Sequence, residues 1–352
     1  MMKSMIPPDE MTPRERMDAF KKGLPIDRIP CAPMVGEHVT RIIGVPVSAY
    51  LHSVDLMVEA QAQAFRYYGY DGVGLGPGHH GLAEALGARL HYPDDDRPQV
   101  IAPAISDYSQ LDDLQPVEVD RNERLSSYLQ ALERIRDRIG DRVKVSTGVG
   151  GPFTAAAFVR GTDDFLKDLR RNPEKVHDLM RLTTASILNY MDAAHKRGFS
   201  CSLGDPIASS TVISPSHFRQ FVKPYLMQIV AWAVQKTGSA PSLHICGDTV
   251  PIWMDMAETG VSSISVDNQV DLESIKNAIG DRVALKGNVD PVAVMLHGTP
   301  DEVRRAGRNC IKQAGDSPGG FVLSSGCTLA LNTPRGNVQA LMDAARMYGR
   351  KM

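Results

Sequence analysis

The sequence has no unbroken apolar run of the roughly 18 residues that a membrane-spanning helix needs. Its opening stretch, MMKSMIPPDEMTPRERM, also lacks the apolar segment of a secretory signal. A cytoplasmic chain without membrane contact is therefore expected. Blocks of one charge are missing too. The 39 basic and 41 acidic residues are interspersed and leave a formal net charge of -2, so nucleic acid and anionic membranes are not expected partners. No Ser/Gly/Pro-rich linker or low-complexity tract divides the chain. Cysteine is scarce, at five residues, and in a reducing compartment such thiols are core filler, redox groups or metal ligands rather than disulfides. What remains is 43% hydrophobic and 23% charged over 352 residues, enough to bury one large core.

Short apolar runs alternate with helical patterns, as in repeated βα units around a parallel sheet. The strand candidates are RIPCAPMVG, GYDGVGLGPG, DRVKVSTGV, FSCSLGDP, APSLHIC, VSSISVD, RVALKGNV and GGFVLSSGC. Among the helical stretches are 53–68, 121–139, 162–171, 173–197 and 215–236, the last with Ser214 as N-cap before Pro215. Eight strand candidates, each followed by a helix, predict a (β/α)8 TIM barrel in one domain spanning 1–352. Residues 1–28 form an N-terminal extension. Residues 85–117 form an insertion after the second strand, suited to a hairpin or to covering one barrel end.

The chemistry concentrates at LHIC. Side chains alternate along a strand, so Leu243 and Ile245 face the outer helices while His244 and Cys246 point inward. Their place at the strand's C-terminal end is where barrel active sites form. Cys327 follows the last strand candidate and reaches the same rim. Two thiolates and an imidazole suit Zn²⁺, and three protein ligands leave a fourth position for water or substrate. A Cys at a strand end also fits a small buried hydrophobe, and a His beside it a hydrogen-bonded core residue. Cys310, on the apolar side of a helix, and Cys31, in the first strand, are expected in the core. Cys201, with GDP just beyond it, is open.

Glu37 and Asp205, each just past a strand, are the candidates for a fourth ligand. Each also fits a surface acid or a helix cap. Asp267 and Asn268 end the strand beside His244 and are candidates to orient its ring. His79 and His80 face the barrel mouth. His80, Asp205, Asp267 and Asn268 make up the expected substrate-facing set. Asn288 and Asp290 in GNVDP are expected to shape a βα turn and start a helix.

At these residues the chain resembles the uroporphyrinogen decarboxylase superfamily, and within it the methylcobalamin:coenzyme M and related corrinoid methyltransferases. TPRERMDAFKKGLPIDRIP is similar to the superfamily's opening, and GGPFTAAAFVRG, PYLMQIV, LKGNVDP and NTPRGNVQAL to its internal landmarks. GDPIASSTVISP, and LHICGD followed by SSGC, resemble the methyltransferase branch more specifically. The resemblance implies zinc on His244, Cys246 and Cys327. It also implies a methyl group carried by methylcobalamin or a corrinoid protein, and a thiol or similar acceptor. The chain departs from the decarboxylases where they carry an arginine-rich segment and a catalytic Asp; CAPMVGEHVTRI has one Arg, and GLGPGHHG has no acid.

Three other readings stay open. The same zinc site would serve a methyltransferase that demethylates an amine, ether or thiol and loads a corrinoid protein. A decarboxylase-like lyase would work without metal, and a corrinoid- or tetrapyrrole-binding module would bind without turnover. The sequence leaves the oligomeric state open.

Overall fold

The computed structural model describes residues 6–350; the first five residues of the expected N-terminal extension lie outside them. Nine strands occur among the described residues, β1 (Val73–Gly74), β2 (Arg89–His91), β3 (Gln99–Ala102), β4 (Val145–Gly150), β5 (Cys201–Gly204), β6 (Ser242–His244), β7 (Ser263–Ser265), β8 (Ala284–Val289) and β9 (Phe321–Ser325). Seven of them form one curled parallel sheet in the order β1-β4-β5-β6-β7-β8-β9, with helices between successive strands. β2 and β3 pair antiparallel, and that hairpin falls in 85–117.

The sheet has seven strands where eight were expected. RIPCAPMVG contributes a single bridge, Cys31 to Leu323. The reason lies in its prolines. Pro30 and Pro33 have no N–H to give a ladder, and the Cys31 N–H goes to the Asp71 carboxylate at 2.6 Å. The segment still touches both sheet edges. Ala32 N–H donates to the Leu323 carbonyl at 2.9 Å, and Asp71 N–H to the Cys31 carbonyl at 2.9 Å. The architecture is that of a TIM-like barrel.

The register separates two faces. Leu203, Leu243, Ile264 and Leu285 align across β5–β8 and are all at most 2% exposed, packed under the helices. Gly204, His244, Ser265 and Lys286 align on the opposite face, which looks into the barrel. Glycine and serine at Gly74, Gly76, Ser146, Gly148, Ser202 and Gly204 line a cavity of about 510 Å³. Branched aliphatic side chains ordinarily fill such positions, so the open interior follows from the small residues.

The opening motif closes the other end. Arg16 and Arg28 are fully buried, and both pair with the buried Asp71. Asp27 takes Arg16, and Asp9 takes Arg28 and Arg346, which ties the N-terminal helix Pro13–Lys21 to the last helix, Arg335–Tyr348. The helical stretch predicted at 215–236 starts at Pro215 with Ser214 capping it, but widens into a π-helical turn at Phe218–Val222. Pro224 has no N–H for the carbonyl four residues earlier, which explains the irregularity there.

Candidate metal centre

His244 ends β6, and Cys246 lies two residues on, past the fully buried Ile245. The chain turns at once through Gly247, whose φ of 72° falls in the left-handed region that favours glycine. Asp267 fixes this turn by accepting the Gly247 N–H at 2.9 Å. Cys327 sits just beyond β9, after Gly326. A Cβ on Gly326 would lie 2.5 Å from the Asn268 nitrogen, so only glycine lets the two strand ends approach this closely.

These elements bring His244, Cys246 and Cys327 together, with one ligand atom from each lying within 4.8 Å of the other two. His244 Nε2 is 3.1 Å from the Cys246 sulfur, and the two sulfurs are 3.6 Å apart. Tetrahedral bonds of zinc-like length to nitrogen and sulfur would place these pairs about 3.6 and about 3.8 Å apart. The observed separations are within about half an ångström of that, so the donor set fits a zinc ion in type and, with a small adjustment, in size. The thiols perturb each other strongly. The Cys246 and Cys327 sulfurs lie close enough to share one hydrogen, which raises the Cys246 pKa, and burial raises it further. Cys327 is pushed down by the same hydrogen bond. One thiolate is thus favoured before any cation arrives.

The other sequence candidates take different places. Asp205 is not part of the cluster. It is fully buried, and its carboxylate caps the helix Pro152–Arg160, accepting the Thr154 N–H at 2.7 Å and the Thr154 hydroxyl at 2.6 Å. Both its proposed roles, ligand and substrate contact, give way to that cap. Glu37 lines the cavity but pairs with Arg97 at 3.3 Å. Neither Asp267 nor Asn268 orients the histidine ring: the Ser265 carbonyl, 3.1 Å from His244 Nδ1, does. Asp267 is spent on Gly247, and Asn268 donates to Asp290 at 3.0 Å. Asp290 also accepts the N–H groups of Val292 and Ala293, as a turn-starting residue should. Cys31 and Cys310 are buried, as core residues.

His79 and His80 both line the cavity. Burial lowers the pKa of each, that of His79 to about 4 with His244 contributing, so both rings are neutral at pH 7. His79 contacts the Gly204 carbonyl at 3.2 Å, and His80 stacks on Phe158 with ring centroids 4.7 Å apart. The sequence reading missed a further wall made of Tyr92, Arg97, Arg124 and Tyr128. Arg124 and Tyr128 sit on an amphipathic helix, where an aromatic at helical spacing reads as core. Arg97 and Tyr92 sit in the insertion without any motif.

A family model described as uroporphyrinogen decarboxylase (URO-D) matches residues 12–348. The methylcobamide:CoM methyltransferase MtaA of Methanosarcina barkeri is 27% identical over 347 residues, covering 96% of this chain and 99% of its own. A methylated-thiol–coenzyme M methyltransferase of Methanosarcina mazei is 26% identical, over 96% of this chain and 90% of its own. A uroporphyrinogen decarboxylase of Prochlorococcus marinus is 26% identical over 83% of this chain and 82% of its own. A solved structure of a methyltransferase from Methanosarcina mazei superposes with a TM-score of 0.86 at 27% identity, covering 96% of this chain and 98% of its own. With the match running nearly end to end, the chain belongs to the uroporphyrinogen decarboxylase family.

Proposed function

We propose that this chain is an enzyme, a zinc-dependent methyltransferase that moves a methyl group between a corrinoid and a thiol or similar small acceptor. The corrinoid is methylcobalamin or the cofactor of a partner protein that docks at the barrel mouth. In this reading the segment at Pro30–Ala32 is the eighth stave of a (β/α)8 barrel, and the mouth is the face carrying the loops after β5, β6 and β9. The observation that carries the proposal is the meeting of His244, Cys246 and Cys327 on the wall of the cavity. The methyltransferase relatives match over more of their length than the decarboxylase relatives, which favours the same branch.

His244, Cys246 and Cys327 would hold the metal. A zinc ion there would lower the pKa of a thiol brought to its open position, making it a nucleophile near neutral pH. The protein's own contribution is placement. Ser265 fixes the imidazole, and the Asp267-braced turn fixes Cys246. The neutral His79 and His80 add no positive charge that would compete with the metal for the nucleophile.

The test is metal content together with thiol-dependent consumption of methylcobalamin. One zinc per chain, and activity lost with Cys246→Ala, is the expected result. Full activity in protein stripped of zinc by a chelator would refute the reading and leave a metal-free lyase as the better one.

A further inference from the structure

We infer that the small molecule handled at this centre is an uncharged aromatic compound with a hydroxyl or similar hydrogen-bonding substituent, held by a wall built around Tyr128 and the Arg124–Glu84 pair. The inference rests on the methyltransferase reading for the place of the chemistry and narrows its substrate class.

The argument begins with size. At about 510 Å³ the cavity is in the range of pockets that enclose drug-sized ligands, with room for a ring beside the metal cluster. Charge comes next. Four acidic or basic side chains line the cavity, Glu37, Glu84, Arg97 and Arg124. They form two pairs, Arg97 with Glu37 at 3.3 Å and Arg124 with Glu84 at 3.6 Å. The lining histidines His79 and His80 are neutral at pH 7. No cation is left over among the described lining residues to hold a carboxylate, sulfonate or phosphate tail, and no anion to hold an ammonium. Lys286, the inward lysine of β8, is not among the lining residues. A charged tail would lose its hydration here without gaining a partner.

The shape and polarity of the wall supply the positive half. The Arg124 guanidinium lies over two rings at once, 4.9 Å from the centroid of Tyr92 and 5.2 Å from that of Tyr128. The Tyr92 hydroxyl donates to Glu84 at 2.6 Å, so its hydrogen is spent. Leu51 and Leu90 line the cavity with them. This is an apolar, aromatic surface braced by one ion pair, suited to a flat ring. Tyr128 is only 3% exposed, lines the cavity, and its hydroxyl has no hydrogen-bond partner among the described residues. The Tyr128 hydroxyl is thereby free to exchange a hydrogen bond with a group that enters the cavity. A hydroxyl or ether oxygen on the bound ring would be such a group.

Zinc-loaded protein should be titrated calorimetrically with para-hydroxybenzyl thiol, benzyl thiol and mercaptoethanesulfonate, and methylcobalamin consumption followed with each. The hydroxylated thiol should bind about tenfold tighter than benzyl thiol, the worth of one neutral hydrogen bond, and mercaptoethanesulfonate weakest of the three. Tyr128→Phe should remove that tenfold advantage while leaving benzyl thiol unchanged. Tightest binding of the sulfonate, or an equal loss for both benzyl thiols in Tyr128→Phe, would overturn the inference. Para-cresol against methanesulfonate gives the same comparison without the sulfur. The binding order therefore decides the substrate class even if methyl transfer fails with every thiol, an outcome that would count against the methyltransferase reading instead.

Discussion

His244 presents its Nδ1 to the carbonyl oxygen of Ser265 at 3.1 Å. A carbonyl can only accept, so Nδ1 carries the ring's proton, and Nε2 keeps its lone pair on the side of the Cys246 sulfur. The imidazole is thereby preset as a metal ligand. Removing any of the three donors should therefore be felt first in metal content. Cys327→Ala is expected to weaken zinc affinity by at least roughly 100-fold, beyond the usual loss for a supporting residue. Zinc competition with a chromophoric chelator measures this, and unchanged affinity would contradict a site shared by β6 and β9.

Asp267 acts one step further out. It holds the Gly247 N–H and thereby the turn that aims Cys246. Asp267→Ala should leave the fold intact but raise the zinc Kd by about 10- to 100-fold, the usual cost of losing a group that orients a ligand. Asp267→Asn, which keeps an acceptor oxygen, should lose less. Equal losses in both variants would mean that the carboxylate charge matters, and not its hydrogen bond.

At the barrel's other end the same kind of residue does a different job. Asp71 is fully buried and joins Arg16, Arg28 and the Cys31 N–H. Asp71→Asn strips the charge from between two buried guanidinium groups. It should cost about 3 kcal/mol of unfolding free energy, at the lower end for a broken buried pair because Asp27 and Asp9 still serve the arginines. Urea unfolding should show a lower midpoint with an unchanged slope, and zinc content should stay at the wild-type value.

What the sequence made legible tracks how local each cause is. His244 and Cys246 could be placed on one face because strand alternation is a two-residue rule. Ser214 marks a helix start because a cap acts over three residues, and its hydroxyl accepts the His217 N–H as that rule requires. The missing eighth strand was misread because an apolar run says nothing about hydrogen-bond donors, and Pro30 and Pro33 remove them. For Asp205 the sequence left metal ligand, surface acid and helix cap open, and the fold commits its carboxylate to the cap. Its partner, the helix end at Phe153 and Thr154, lies some fifty residues away in sequence. Nothing near position 205 announces that a carboxylate there will be consumed by a cap. Tyr128 was invisible as a pocket residue because its helix face borders core and cavity alike.

That cap also sets a pH dependence. Burial raises the Asp205 carboxyl from an ordinary value of 3.8 to about 6, against the lowering effect of the Thr154 and Phe153 hydrogen bonds. Between these two values the unfolded chain has lost the proton while the folded chain still holds it. Unfolding then releases a proton, so stability falls as pH rises through this window and levels off above it. The full effect is on the order of 3 kcal/mol, from about two pKa units at 1.36 kcal/mol each. Asp205→Asn cannot titrate, so its stability relative to wild type should improve by that amount between pH 4 and pH 7. Urea midpoints at several pH values, with chelator present to remove any metal linkage, measure the difference. A difference that stays constant across the window would mean that the helix N-terminus holds Asp205 ionised throughout, and that the cap is charged rather than protonated.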